Sequence, residues 1–110
     1  WPEGNSFIVA CASTDLYENN PELYAAVNAA FQDAMDFINN EPEAAAEMLC
    51  EDEGVDAATY LKWMQDPACG YSAELKGASD MAQFMIEEGF LENAKFNDIS
   101  DLVYDGVKGN

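Results

Sequence analysis

The side chains in this sequence that are able to do chemistry are nearly all carboxylates. It contains 22 Asp and Glu, four Lys and Arg and no His. The lack of His excludes Ser-His-Asp and Cys-His nucleophile systems and His-ligated metal sites. A glycine-rich phosphate loop is also missing, because Lys76-Gly77 and Lys108-Gly109 lack the surrounding glycines. We therefore expect no enzyme activity, no catalytic residue and no cofactor.

Two runs of acids have the composition of a metal site, Glu51-Asp52-Glu53 and Glu87-Glu88. A calcium loop of the EF-hand type needs oxygens at alternate positions, a central Gly and a closing bidentate Glu. The stretch Glu51–Gly54 begins in this way but continues into Ala57-Ala58-Thr59-Tyr60 without a closing acid. These runs are interpreted as solvated helix ends, and no metal site is predicted.

The three cysteines, Cys11, Cys50 and Cys69, match neither a CxxC motif nor a zinc-ligand spacing. Cys11 lies in an apolar run and is predicted to be a small buried side chain. Cys50 and Cys69 can form a disulfide if the protein is exported, and the odd number of cysteines leaves this pairing open.

Length and charge limit the possible partners. The 110 residues predict a single domain over 1–110, and the net charge of −18 repels phosphate backbones and anionic lipids. Nucleic-acid binding and membrane-surface binding are therefore not expected. No apolar run is long enough to span a bilayer. The chain opens on Trp1-Pro2 instead of Met, which favours a mature or truncated product.

The N-terminal part contains the one predicted strand. The run Phe7-Ile8-Val9-Ala10-Cys11-Ala12 is continuously apolar, and its length and β-branched residues predict a strand over 6–12 buried on both faces. A lone strand cannot satisfy its own backbone groups. Its neighbours are therefore expected from another chain or from residues not in this sequence.

The rest of the chain, over 13–105, is predicted to be a layer of helices. The main helix runs from Pro21 to Asn40 behind the N-cap Asn20. One face of this helix is apolar and is expected to need a partner; it consists of Leu23, Val27, Ala30, Phe31, Ala34 and Ile38.

Shorter helices are predicted from their caps and stops. Ser13 caps a first helix over 15–18, and Pro42 begins another that Gly54 ends. Asp56 and Ser72 cap two more, the second ending at Gly89 in a Schellman motif, and Asp98 caps a last one near 99–104. The sequence thus predicts a mainly α fragment of five or six helices and one strand. The predicted core is Val27, Phe31, Ile38, Leu49, Leu61, Met64, Ala82 and Met85.

The order of these parts resembles a known family. The strand is followed by Asn20-Pro21-Glu22-Leu23, and the main helix ends in Phe37-Ile38-Asn39-Asn40-Glu41-Pro42-Glu43-Ala44-Ala45. Further along stand Tyr71-Ser72-Ala73-Glu74-Leu75-Lys76-Gly77, Glu88-Gly89-Phe90-Leu91 and Asp101-Leu102-Val103-Tyr104-Asp105. Together they resemble the C-terminal segment of substrate-binding proteins of ABC importers, in the nitrate, sulfonate, taurine and thiamine-pyrimidine group.

The resemblance implies a fold and a function. In the family, two α/β lobes of a type II periplasmic-binding-protein fold close on a small solute, and this segment completes the first lobe. It implies an extracytoplasmic protein, in the periplasm or anchored at the cell surface as a lipoprotein, that delivers a nitrate-, sulfonate-, taurine- or pyrimidine-like molecule to an ABC permease. No ligand residue is carried over, and Asn5 and Ser6 are the only positions expected near the cleft.

An alternative of another class is a free-standing acidic helical module that binds a protein partner. An importer segment would be preceded in its reading frame by the remaining lobes and a signal peptide. In either case the unpaired strand over 6–12 predicts a homodimer of the fragment through that strand.

Overall fold

The computed structural model describes residues 8–92, 96, 98–104 and 106–109, and it is mainly helical. Five α-helices are described: α1 (Thr14–Asn19), α2 (Pro21–Asn40), α3 (Pro42–Leu49), α4 (Ala57–Met64) and α5 (Ala78–Glu87). A 3₁₀ helix spans Ile99–Leu102, and two short strands are β1 (Glu74–Leu75) and β2 (Lys108–Gly109). The predicted mainly α character is confirmed. No helix among the described residues has both the length and the hydropathy to cross a membrane.

Local capping explains where three of the described helices begin. The Ser13 hydroxyl accepts a hydrogen bond from the Leu16 N–H at 3.1 Å, and the Asp56 carboxylate accepts one from the Thr59 N–H at 2.9 Å. Asp98 forms a capping box with Asp101 ahead of the 3₁₀ helix. These three predicted caps are confirmed, because each depends on residues within one helical turn.

Helix α5 begins five residues later than predicted. Ser72 does not cap it; instead Glu74–Leu75 pairs in parallel with Lys108–Gly109. Gly77 then turns the chain with φ 73°, and the helix follows from Ala78. The prediction was wrong here because pairing with residues 108–109, which lie beyond the predicted helical layer over 13–105, takes the backbone of 74–75 out of the helix.

The strand predicted over 6–12 is not found in its described part. Residues 8–12 belong to no helix and no strand, and residues 6 and 7 lie outside the described residues. Ile8 and Val9 are 88% and 55% exposed. A strand forms only where a neighbouring strand pairs with its backbone groups. The described part of this chain places no strand beside residues 8–12.

The chain divides into two compact units, with the boundary inside α2. One unit contains the residues up to Asn28 together with those from Glu74 onward, and the other contains 29–73. In the 29–73 unit, α3 packs on α4 around the buried Ala45, Ala46 and Met64. In the other unit, α5 contacts the 3₁₀ helix, and Ala82 is buried. The prediction of one domain over 1–110 stays a prediction.

Most of the apolar face of α2 is not part of the core; Ile38, near the end of the helix, is half-buried and packs against the core of the 29–73 unit. Leu23, Val27 and Phe31 are 55%, 43% and 47% exposed, so two predicted core residues, Val27 and Phe31, were wrong. The half-buried side chains of the helix are Tyr24, Asn28, Gln32, Met35 and Ile38. Their line is rotated by roughly 100° around the helix axis from the apolar face. Among the other predicted core residues, Met64 and Ala82 are buried, and Leu49, Leu61 and Met85 are half-buried.

Candidate functional site

Three tyrosines form a half-buried cluster in the unit that holds both ends of the chain. The rings of Tyr17 and Tyr104 stack with centroids 4.2 Å apart and an interplanar angle of 5°. Tyr24 meets both edge-on, at 5.0 Å from Tyr17 and 5.7 Å from Tyr104. Tyr17 lies on α1 and Tyr24 on the first turn of α2, so the cluster joins these helices to the segment after the 3₁₀ helix.

The hydroxyl of Tyr104 is also held by hydrogen bonds. It donates to the Ala12 carbonyl at 3.3 Å, and the Thr14 hydroxyl lies 3.2 Å away. Since a phenol has one proton, the Thr14 hydroxyl is the donor in the second bond. Nearby, the Asn28 side-chain amide donates to the Gly106 carbonyl at 3.3 Å. Stacked, edge-on and hydrogen-bonded in this way, the three tyrosines hold α1, the start of α2 and the segment after the 3₁₀ helix together, and we call them the tyrosine clasp.

The 29–73 unit has an open cleft of about 450 Å³ between the end of α2 and the end of α4. Its walls are Ile38, Asn39, Pro42 and the stretch 64–67 with Cys69, Gly70 and Tyr71. Asn39 holds the loop in place, because its amide donates to the Met35 carbonyl at 2.8 Å and to the Tyr71 carbonyl at 3.1 Å. Asp66 shapes the loop through bonds from the N–H groups of Ala68 and Cys69.

One group lining the cleft has a strongly perturbed acidity. The hydroxyls of Tyr71 and Tyr60 lie 3.5 Å apart, and the hydrogen bond between them, followed by burial, raises the pKa of Tyr71 far above its ordinary value. A tyrosine whose pKa rises stays protonated at neutral pH, so it can donate a hydrogen bond but cannot act as a base.

The described lining of the cleft contains one acidic side chain and no basic one. Among the described residues that line it, Asp66 is the only carboxylate, and one of its side-chain oxygens accepts the bond from the Ala68 N–H, while its backbone carbonyl accepts the bond from Cys69. The other polar side chains of the lining are Asn39, Gln65, Cys69 and Tyr71.

The structure does not bring together the residues that the sequence analysis considered as candidate ligand or metal sites. Asn5 and Ser6 lie outside the described residues. Glu51, Asp52 and Glu53 form an exposed turn after α3. The described residues hold no group of three or more carboxylates and thiols able to bind a metal ion.

All three cysteines are free, and Cys11 is exposed instead of buried. That prediction was wrong for the same reason as the strand: the apolar run around Cys11 has no neighbour to cover it. Cys50 and Cys69 do not form a disulfide in this structure.

The tyrosine clasp and Tyr71 were not singled out from the sequence. Both depend on contacts between distant parts of the chain, such as residues 12 and 104. The available signal was weak: Tyr17, Tyr24 and Tyr104 are aromatic residues beside predicted helix ends, where an amphipathic ring often bridges two elements.

Comparison with known proteins identified no relative of this chain. No protein-family model, no curated protein sequence and no solved structure matches this chain.

Proposed function

We propose that this chain is a segment of an extracytoplasmic solute-binding protein, one that captures a small anion-like or pyrimidine-like molecule for an ABC importer. The solute class comes from the sequence resemblance alone. In this proposal the segment is a structural layer that completes one lobe, and solute capture is a property of the whole protein. In this proposal the permease, too, binds the whole protein and not this segment alone.

The observation that carries the proposal is the uncovered apolar face of α2. Leu23, Val27 and Phe31 follow one another at helical spacing, and about half of each side chain is exposed. Covering that half is worth on the order of 1 kcal/mol for each residue. Summed over these three residues, the gain is a large share of the free energy of unfolding of a typical domain, which is about 5–15 kcal/mol. In layered α/β folds such a face lies against a sheet.

The exposed run at 8–12 supports the same proposal. Ile8 and Val9 are more than half exposed, and they immediately precede the helices whose apolar face is uncovered. A buried strand followed by a covering helix is the unit from which such sheets are built. Helix α2 is present here, and the run at 8–12 would supply the strand; in this proposal both lack the same neighbour, a sheet.

The experiment is a ligand titration in two arms. The protein encoded by the complete reading frame and the 110-residue chain are each titrated by calorimetry with nitrate, taurine, an alkyl sulfonate and a thiamine pyrimidine. We expect saturable heat with one ligand in the first arm and none in the second. Saturable binding by the 110-residue chain would contradict the assignment of a structural layer. Absence of binding in both arms would favour the acidic interaction module.

A further inference from the structure

The end of α5 carries an exposed pair of aromatic rings. Phe84 is 52% exposed and Phe90 is 71% exposed, and their ring centroids lie 6.5 Å apart at an angle of 36°. Two large aromatic side chains in contact with each other and with water are unusual on a monomer surface and are typical of binding surfaces.

The pair is held in place by the way α5 ends. Gly89, at φ 75°, donates its N–H to the Ile86 carbonyl at 3.1 Å, and Phe90 donates to the Met85 carbonyl at 2.8 Å. These are the two bonds of a Schellman motif, as the sequence predicts. Because these bonds fix the backbone at Phe90, less backbone freedom is lost when a partner binds, which reduces the entropy cost of binding.

Carboxylates surround Phe84 on the helix surface. Asp80 lies four residues before it, and Glu87 and Glu88 lie three and four residues after it, so all three are its neighbours at helical spacing. All three are exposed, and the Gln83 amide positions Glu87 by donating to its carboxylate at 2.7 Å. We call Asp80, Phe84, Glu87, Glu88 and Phe90 the acidic aromatic patch.

The glutamates at the C-terminal end of α5 destabilise the helix, and a bound cation would offset this effect. The C-terminal end of a helix carries a partial negative charge, which favours Lys or Arg in the last turn. Helix α5 has no basic residue there, and two glutamates, Glu87 and Glu88, stand at this end. The nearest lysines in the sequence, Lys76 and Lys95, lie outside the helix range 78–87, so no basic side chain of α5 itself balances the patch.

We infer that the acidic aromatic patch binds an arginine-rich segment of a partner protein. A guanidinium group stacks on exposed aromatic rings and bonds carboxylates through two parallel N–H groups. A second copy of this chain would bring no guanidinium group to the patch, because the sequence contains no Arg, and an anionic lipid surface would be repelled by the carboxylates. The inference does not depend on solute capture, because it is argued from the α5 surface alone.

The test is a titration of the ¹⁵N-labelled chain with tetra-arginine amide, with tetra-citrulline amide as the uncharged control of the same shape. We expect saturable shifts centred on the amide signals of Phe84, Glu87, Glu88 and Phe90, and none with citrulline. Replacing both rings, Phe84→Ala with Phe90→Ala, is expected to weaken binding about fivefold or more.

Two matched controls separate this patch from general attraction to an acidic protein. Phe31→Ala removes a helical aromatic of similar exposure whose neighbours at three and four residues carry no charge, and it is expected to leave the affinity within about twofold. Glu87→Gln with Glu88→Gln is compared with Glu51→Gln and Glu53→Gln, which changes the net charge equally. Equal weakening by the two glutamate pairs, or shifts spread evenly over the chain, would overturn the inference. Greater weakening by the α5 pair supports it even if the double Ala variant does not fold.

Discussion

Single side chains set the ends of several helices in this chain, and Asp56 shows how. Its carboxylate accepts hydrogen bonds from the Thr59 hydroxyl at 2.7 Å and from the Thr59 N–H at 2.9 Å. These bonds, the side-chain bond first, lower the pKa of Asp56 from its ordinary value of 3.8. The carboxylate is fully exposed, so its effect is local to the start of α4.

Asp56 gives a prediction with a defined pH dependence. A carboxyl whose pKa is lower in the folded state stabilises that state above its ordinary pKa, and the contribution is lost as the pH falls through the folded-state value. Asp56→Ala is expected to lower the Tm at neutral pH, because the Thr59 N–H loses its acceptor.

Asp56→Asn is the matched variant, since Asn caps nearly as well but does not titrate. We expect its Tm to be close to that of the parent chain at neutral pH and to fall less between pH 5 and pH 2. Melting curves followed by circular dichroism at several pH values measure both. An Asn variant with the same acid sensitivity as the parent would show that Asp56 is not a source of that sensitivity.

At the scale of secondary-structure elements, the sequence predicts what depends on neighbours and misses what depends on distant residues. The caps Ser13 and Asp56 bond within three residues, and the bounds of α2 follow from Pro21 and from Pro42 after it. The pairing of Glu74–Leu75 with Lys108–Gly109 has no local signal, so α5 was predicted to begin too early.

The periodicity of α2 identifies its apolar face correctly, but it does not say what covers that face. The face was assigned to the core because a single domain normally buries such a stripe. The helix instead half-buries the side that holds Tyr24 and Asn28, where a ring and an amide contact Tyr104 and Gly106. Specific polar and aromatic contacts therefore decide which side of α2 faces this chain.

The exposed run at 8–12 leads to a prediction about association. Its apolar side chains and backbone groups are available to pair with a second copy, which would form the strand that this chain alone does not. The charge of −18 per chain opposes pairing, but salt screens it beyond about 8–10 Å at physiological ionic strength.

We expect light scattering after size exclusion to give twice the chain mass of 12.1 kDa. Val9→Pro removes a ladder donor and should shift the equilibrium toward monomer. The matched control is Val9→Ala, which keeps the backbone N–H donor and is expected to preserve most of the dimer. Val27→Pro is unsuitable as a control because it breaks α2. A monomeric parent chain at high concentration would contradict this prediction.

On the scale of the whole molecule, the uncovered surface is the most informative feature. The described chain buries few side chains, all of them Ala or Met, while Leu23, Val27 and Phe31 remain about half exposed along α2. No carboxylate is buried among the described residues.

The central claim is that further polypeptide of the same protein covers the apolar face of α2, and hydroxyl-radical footprinting tests it most directly. Oxidation of Phe31 is measured by mass spectrometry in the 110-residue chain and in the product of the complete reading frame. Phe84, of the same type and similar exposure, is the internal reference. We predict that the ratio of Phe31 to Phe84 oxidation falls several-fold in the complete product. An unchanged ratio, or a complete reading frame that encodes these 110 residues alone, would contradict the claim.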